Sequence, residues 1–277
     1  METLAKISFP SSGKLFPRKR LFRLLDKARA RPVIFISAPP GSGKTSLVAS
    51  YLRDRKLPCL WYQMDEGDAD VASFFYYVGL AGKKAAPRYK KSLPLFTPEY
   101  GLGVLTFVRR YFETLASRLK PPYVLVFDNY QEIPSESVIH EIIRIGLSAF
   151  PENISTVIIS RSEPPAAFAA IDAGNKLHAV GWDDLKLTPE ESRGIARLQE
   201  VGRPQSKLYE WLHEKAAGWV AGLVLLARAV KSQGMDAEAF RNISPGLLLK
   251  TVSNRDVSIC GCIFTFLTKS RGATSSR

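Results

Sequence analysis

The feature that most constrains this chain is a loop of small residues between an apolar run and the start of a helix. The run ends at Ser37, and residues 38–45 read Ala-Pro-Pro-Gly-Ser-Gly-Lys-Thr. We call residues 38–45 the phosphate loop. They match the pattern G-x-x-x-x-G-K-[S/T] except at the first position, where Ala38 replaces glycine. The pattern predicts a strand, a phosphate-binding loop and a helix in that order.

Each defined residue type in this loop has chemistry that suits a phosphate chain. Gly41 and Gly43 let the backbone approach closely enough for its N–H groups to bind a β-phosphate. Lys44 supplies a charge for the β- and γ-phosphates, and Thr45 supplies an oxygen ligand for Mg²⁺. The positive end of the helix dipole points at the same anion. The candidate nucleotide-binding residues here are Pro40, Gly41, Ser42, Gly43, Lys44, Thr45 and Ser46.

A second part of the nucleotide signal lies about 80 residues further on. Residues 123–128 form a continuous apolar run that ends in Asp128, which is typical of a buried parallel strand. Asp128 is therefore expected to hold Mg²⁺ together with Thr45. Many ATP-hydrolysing proteins carry a second acid at the next position, but here that residue is Asn129, which leaves Glu132 as the nearest acid. Nucleotide binding is therefore more strongly predicted than hydrolysis.

Two arginines are further candidates. Arg161 follows another buried strand, over residues 155–160, and could sense a γ-phosphate or simply end the strand in solvent. Arg18 lies in the basic entry to an amphipathic helix, where it could reach the base or sugar, or only support helix packing. The residues alone leave both questions open. Ser135 is expected to cap a helix that reaches about Leu147.

The pattern changes character at Thr188. Residues 188–191 read Thr-Pro-Glu-Glu, which is a complete helix start, and apolar residues follow at helical spacing to about Phe240. We therefore predict an α/β fold, a P-loop three-layer sandwich with a mainly parallel sheet, followed by a small helical subdomain. The expected domains are residues 1–187, residues 188–243 and an atypical tail at 244–277.

Composition narrows the possible environments and partners. The 277 residues carry a net charge of +13, and residues 1–31 and 82–120 each hold nine basic residues against two acidic ones. These basic segments could attract a polyanion, or they could be a solvated surface. Three cysteines without a paired pattern favour a reducing compartment, and no apolar run is long enough to span a membrane. A cytoplasmic protein is expected.

The assembled motifs resemble the ATPase module of the MalT-like STAND regulators, the signal-transduction ATPases with numerous domains. The resemblance extends from residue 15 to about residue 240, and an alanine at the first loop position is usual in that family. Its motifs are Arg18, residues 38–45, Trp61 to Asp68, Leu125 to Tyr130, Ile158 to Arg161, and the Ala-Gly-Trp-Val-Ala-Gly-Leu run at 217–223.

The resemblance implies roles that the residues alone did not decide. Arg18 would contact the adenine end of ATP or ADP, Lys44 the phosphates, Thr45 and Asp128 the Mg²⁺ ion, and Arg161 the γ-phosphate. Family members typically continue into a sensor and a DNA-binding domain, so DNA would be bound only through a domain that this chain lacks. Self-association through the ATPase module is also an expectation of this kind.

The predicted function is an ATP-binding regulatory switch that hydrolyses ATP slowly, with nucleotide binding controlling the arrangement of its domains. Lys44, Asp128, Arg161 and Glu132 are the candidates for any catalysis. Two alternatives remain open. One is a P-loop kinase or other phosphoryl transferase, and the other is a basic module that binds a polyanion.

Overall fold

The computed structural model describes residues 5–11, 13–97, 99–100, 103–200 and 206–233. These residues form two compact units. The first unit contains the described parts of Met1–Ser11, together with Lys19–Ala38 and Lys44–Gly181. The second contains the described parts of Ser12–Arg18, Pro39–Gly43 and Trp182–Arg277. The predicted tail at 244–277 lies outside the described residues.

A five-stranded sheet forms the centre of the first unit. Its strands are β1 (Val33–Ser37), β2 (Cys59–Gln63), β3 (Tyr123–Asp128), β4 (Ile154–Ser160) and β5 (Leu177–Val180). All neighbouring strands are parallel, in the order β2-β3-β4-β1-β5. Every residue of β1, β3 and β4 is buried, as expected for apolar strands that are covered on both faces.

The first unit also has helices packed on this sheet. They are α1 (Lys19–Ala28), α2 (Lys44–Asp54), α3 (Val71–Ala85), α4 (Val104–Arg118), α5 (Ile139–Leu147) and α6 (Ala169–Ala173). One face of the sheet shares a core with α3, α4 and α5, rich in phenylalanine and tyrosine rings. Elsewhere in this unit the buried ring of Phe22 on α1 meets that of Tyr51 on α2, with centroids 5.8 Å apart.

The strand register places the carboxyl ends of four strands at one edge of the sheet. Ser37 at the end of β1 is level with Ser160 at the end of β4. Gln63 at the end of β2 is level with Asp128 at the end of β3. The carboxyl edge of an open parallel sheet is where such folds bind ligands, so the candidate residues that follow β1, β3 and β4 share that edge.

The second unit is helical. Its helices are α7 (Trp182–Leu185), α8 (Pro189–Leu198), α9 (Ser206–Ala216) and α10 (Val220–Gln233). The predicted start at Thr188 is confirmed, because the Thr188 side chain accepts from the Glu191 N–H and the Glu191 carboxylate accepts from the Thr188 N–H. Leu208, Leu212 and Leu223 lie in the small core of this unit.

One predicted boundary is wrong. Ser135 does not cap a helix, because residues 134–137 form a turn in which the Ser137 N–H donates to the Pro134 carbonyl at 3.0 Å. The helix α5 begins only at Ile139. Within the described ranges, no helix is long and apolar enough to cross a membrane.

Candidate phosphate-binding site

The phosphate loop connects the end of β1 to the start of α2. Gly41 and Gly43 have φ angles of 72° and 84°, in the left-handed region that favours glycine. The Ala38 N–H donates to the Ser160 carbonyl at 3.4 Å, which fixes the start of the loop to β4. The helix α2 begins at Lys44, so its first N–H groups have no earlier helical turn to bond. The predicted order of strand, glycine-rich loop and helix is confirmed.

Lys44 points back toward the carbonyl that opens the loop. Its Nζ donates to the Ala38 carbonyl oxygen at 2.6 Å, and only 8% of the residue is exposed. Burial lowers the pKa of Lys44 to about 8, the nearby Arg161 guanidinium lowers it further, and the Asp128 carboxylate opposes both effects. Burial thus destabilises the charged form of Lys44, and a bound anion next to Nζ would stabilise it.

Thr45 and Asp128, the two residues predicted to hold magnesium, are hydrogen-bonded to each other. The Thr45 hydroxyl lies 3.1 Å from each carboxylate oxygen of Asp128. Asp128 is 2% exposed and also accepts from the Asn129 N–H at 3.0 Å. Burial raises the pKa of Asp128, although these hydrogen bonds and the Lys44 charge oppose the rise.

These two residues fit a magnesium ion by their chemistry. A hydroxyl and a carboxylate are the hard oxygen ligands that Mg²⁺ prefers. The cost that burial imposes on the Asp128 charge is one that a bound cation would relieve. Thr45 and Asp128 are therefore suited to hold the ion predicted for this edge of the sheet.

The segment after β3 connects Asp128 to the end of β4. Asn129 adopts a left-handed conformation with φ of 59° and precedes a short 3₁₀ turn over residues 130–132. The Gln131 side chain accepts from the Arg161 N–H at 3.0 Å and donates to the Glu132 carboxylate at 2.8 Å. Gln131 was missed by the sequence analysis, since nothing local marks a glutamine as the partner of a residue 30 positions away.

Arg161 is exposed and lies close enough to Lys44 for its charge to lower the pKa of that lysine. Lys44, Thr45, Asp128 and Arg161 therefore meet at one edge of the first unit. Glu132 belongs to the same segment, and its carboxylate accepts a hydrogen bond from Gln131.

Arg18 belongs to the second unit, where it is buried against the start of α8. Its Nε and Nη2 lie 3.0 and 2.7 Å from Oε2 of Glu191. Nη2 also donates to the carbonyls of Leu185 and Lys186, at 2.9 and 3.1 Å. These contacts give Arg18 a clear packing role, and its contact with the adenine end of a nucleotide stays a prediction.

Comparison with known proteins shows where similar sequences occur. The chain is 28% identical over 222 residues to the HTH-type transcriptional regulator MalT of Serratia proteamaculans. The aligned region covers 80% of this chain and 24% of that regulator. MalT of Klebsiella pneumoniae is 26% identical over 222 residues, with the same coverage. The chain thus spans about a quarter of the length of these curated relatives. No protein-family model matches it.

Solved structures give a consistent result for the fold. A STAND protein with a tetratricopeptide repeat sensor from Pyrococcus horikoshii aligns with a TM-score of 0.59 and 16% identity, over 90% of this chain and 34% of that one. A Walker-type ATPase of Pyrococcus abyssi aligns with a TM-score of 0.53 and 18% identity, over 94% of this chain and 77% of that one. The predicted P-loop fold is confirmed, and so is the resemblance to MalT-like STAND regulators.

Proposed function

We propose that this chain is the ATP-binding switch module of a MalT-like transcriptional regulator, with ATP or ADP and Mg²⁺ as its ligands. The observation that carries the proposal is the meeting of Lys44, Thr45 and Asp128 beside a glycine-rich loop. Each of these groups suits one part of a magnesium-bound phosphate chain. The similarity to MalT, over about a quarter of that regulator, supports the regulatory setting.

Different residues of this chain would bind different parts of the nucleotide. The N–H groups of the phosphate loop and the start of α2 would hold the β-phosphate, helped by the dipole of the helix. The Lys44 ammonium would leave the Ala38 carbonyl for the phosphate oxygens, because an anionic oxygen attracts the ammonium more strongly than a neutral carbonyl oxygen does. Thr45 and Asp128 would hold the Mg²⁺ ion. A bound Mg²⁺ ion neutralises phosphate charge.

Slow hydrolysis is the part of the proposal that concerns chemistry. An amide cannot remove a proton from water, so Asn129 offers no base directly beside Asp128. The Glu132 carboxylate accepts a bond from the Gln131 amide, whose oxygen in turn accepts from the Arg161 N–H. Glu132 is thus tied into a positioning network. Arg161 would contact a γ-phosphate, which gives the module a means to distinguish ATP from ADP.

The regulatory role involves parts of the regulator other than this module. DNA would be bound by one of those parts, and the module would associate with copies of itself. Nucleotide exchange or slow hydrolysis would then change the state of the whole regulator rather than supply a metabolic product.

Isothermal titration with ATP and Mg²⁺ tests the proposal. Lys44→Ala should raise the Kd by about 10- to 150-fold, because one charge-assisted hydrogen bond contributes roughly 1.5–3 kcal/mol. Lys27→Ala is the matched control, since Lys27 is an exposed lysine on α1 of the same unit. Equal affinity of the Lys44→Ala variant and the parent would refute the proposal, as would absence of binding by the parent.

A further inference from the structure

The start of α10 contacts the phosphate loop within the second unit. The Trp219 indole Nε1 donates to the Pro40 carbonyl oxygen at 2.8 Å. The Ala221 backbone N–H donates to the Gly41 carbonyl oxygen at 2.9 Å. Trp219 is 4% exposed. Two consecutive carbonyl groups of the loop are therefore held by two donors from one short segment, residues 219–221, at the start of α10.

These contacts fix the direction of a loop N–H group. In a trans peptide the C=O and the following N–H point in opposite directions. When Trp219 holds the Pro40 carbonyl on the side of α10, the Gly41 N–H is directed to the other side. The Ser42 N–H closes the turn by donating to the Pro39 carbonyl at 3.3 Å. The peptide between Pro40 and Gly41 is thus set by a side chain 179 residues away.

The close approach explains why glycine is needed at position 41. A Cβ atom there would lie 2.7 Å from the Ala221 Cβ and 3.0 Å from the Trp219 Nε1. Gly41 also has a positive φ of 72°. The glycine therefore serves contact with α10 as well as approach to a phosphate.

Both donors need the acceptors that the loop provides. The Ala221 N–H lies in the first turn of α10, where no helical carbonyl can receive it, and the Gly41 carbonyl takes that place. A buried indole N–H likewise requires a partner, which the Pro40 carbonyl supplies. Loss of the indole bond would leave the buried Trp219 N–H unsatisfied, so this contact resists distortion.

We propose that Trp219 is a positioning residue for phosphate binding: it holds the Pro40–Gly41 peptide so that the Gly41 N–H can bind the β-phosphate of a nucleotide. The proposal rests on the proposed function, since it requires that the loop binds nucleotides. It assigns to Trp219 an effect on affinity without direct contact with the ligand.

Trp219→Phe tests this assignment, because phenylalanine retains an aromatic ring but has no N–H group. The Kd values for ADP and AMP are measured by isothermal titration on the whole chain. The Kd for ADP should rise about 3- to 10-fold, the effect of losing one neutral hydrogen bond. The Kd for AMP should change less than about 2-fold, because AMP has no β-phosphate for the Gly41 N–H to bind. If Trp219 had only a structural role, the substitution would raise the Kd values for ADP and AMP by similar factors.

Two further variants keep the test decisive. Trp211→Phe removes an indole from α9 of the same unit and should leave both Kd values unchanged. Ala221→Pro removes the other donor while keeping Trp219, and the proline ring would also displace the Gly41 carbonyl, which lies 2.9 Å from the Ala221 nitrogen. It should also weaken ADP selectively. The unfolding midpoint of each variant is measured in parallel, so that Kd values are compared only between folded proteins.

The outcomes separate the two proposals. Selective loss of ADP affinity in folded Trp219→Phe supports the positioning role, and the same loss in Ala221→Pro extends it to the second bond. An unchanged ratio of ADP to AMP affinity in folded Trp219→Phe overturns the positioning role while leaving nucleotide binding intact, whatever Ala221→Pro shows. A parent that binds neither nucleotide overturns the proposed function itself, and the positioning role with it.

Discussion

Nucleotide binding should bring a proton onto Lys44 at alkaline pH. In the described structure burial lowers the pKa of Lys44 to about 8, from an ordinary value of 10.5. Phosphate oxygens beside Nζ would favour the charged form and return the pKa toward 10.5. At alkaline pH, Lys44 would then be neutral in a fraction of the free protein molecules but charged in nearly all of the nucleotide-bound ones. The size of that difference follows from the two pKa values.

The expected uptake grows steeply with pH. A pKa that moves from about 8 to about 10.5 predicts an uptake of about 0.1 proton per nucleotide at pH 7, about 0.5 at pH 8 and about 0.9 at pH 9. Affinity should accordingly fall as the pH rises above 8, by up to about tenfold per pH unit. Below pH 7 Lys44 is already charged, so this group contributes no further pH dependence.

Titration calorimetry in buffers of different ionisation enthalpy measures this number directly. The slope of the observed enthalpy against the buffer ionisation enthalpy is the count of protons taken up. Lys44→Met provides the matched control, because it retains the length of the side chain without a titratable group, and its slope should stay near zero at pH 8 and 9. A slope near zero for the parent at pH 9 would refute the reasoning, since Lys44 would then not change its protonation on binding.

Three further changes test separate parts of the account. Asp128→Asn should remove most of the Mg²⁺ dependence of ATP binding while leaving affinity in the presence of a chelator unchanged, and a parent that needs no Mg²⁺ would contradict this. Asn129→Asp should raise ATP turnover in a phosphate-release assay, and the parent rate should lie far below the median of about 10 s⁻¹ for enzymes. Gly146→Ala should lower the free energy of unfolding by about 1–3 kcal/mol, the usual cost of overpacking, because its Cβ would lie 2.5 Å from the Phe112 ring. Denaturant titration measures this against Gly181→Ala, where an added Cβ meets nothing within 4 Å.

Elements with local determinants could be predicted from the sequence. The run from Tyr123 to Asp128 is apolar at nearly every position, and all six residues are buried in β3. The cap at Thr188 was predictable for a similar reason, since both partners of its reciprocal hydrogen bonds lie within one turn of helix. Such features depend little on what the rest of the chain does.

The start of α5 shows how a local signal can mislead. Ser135 and Ser137 both offer a hydroxyl before the same apolar run. Ser135 lies inside the turn that runs from Pro134 to Ser137. The Ser137 Oγ accepts from the Ile139 N–H at 3.3 Å. A sequence pattern does not show which of two such hydroxyls lies next to the first N–H groups of the helix.

The finer geometry of the candidate site could not be predicted, because it depends on contacts between distant segments. The strand β4 lies between β1 and β3, which brings Arg161 near Lys44 and aligns its N–H with Gln131. The bond from Trp219 to Pro40 is of the same kind. The sequence identifies the residue types that can bind phosphate, whereas the fold decides which donors hold the loop in shape.

The affinity of the parent chain for ADP compared with AMP tests the central claim most directly. A loop that holds a β-phosphate through its N–H groups and Lys44 loses several charge-assisted bonds when that phosphate is absent. AMP should therefore bind at least about 100-fold more weakly than ADP, the equivalent of two such bonds at about 1.5 kcal/mol each. Equal affinity for AMP and ADP, measured by titration calorimetry in Mg²⁺, would contradict the account, because the phosphate loop would then take no part in binding.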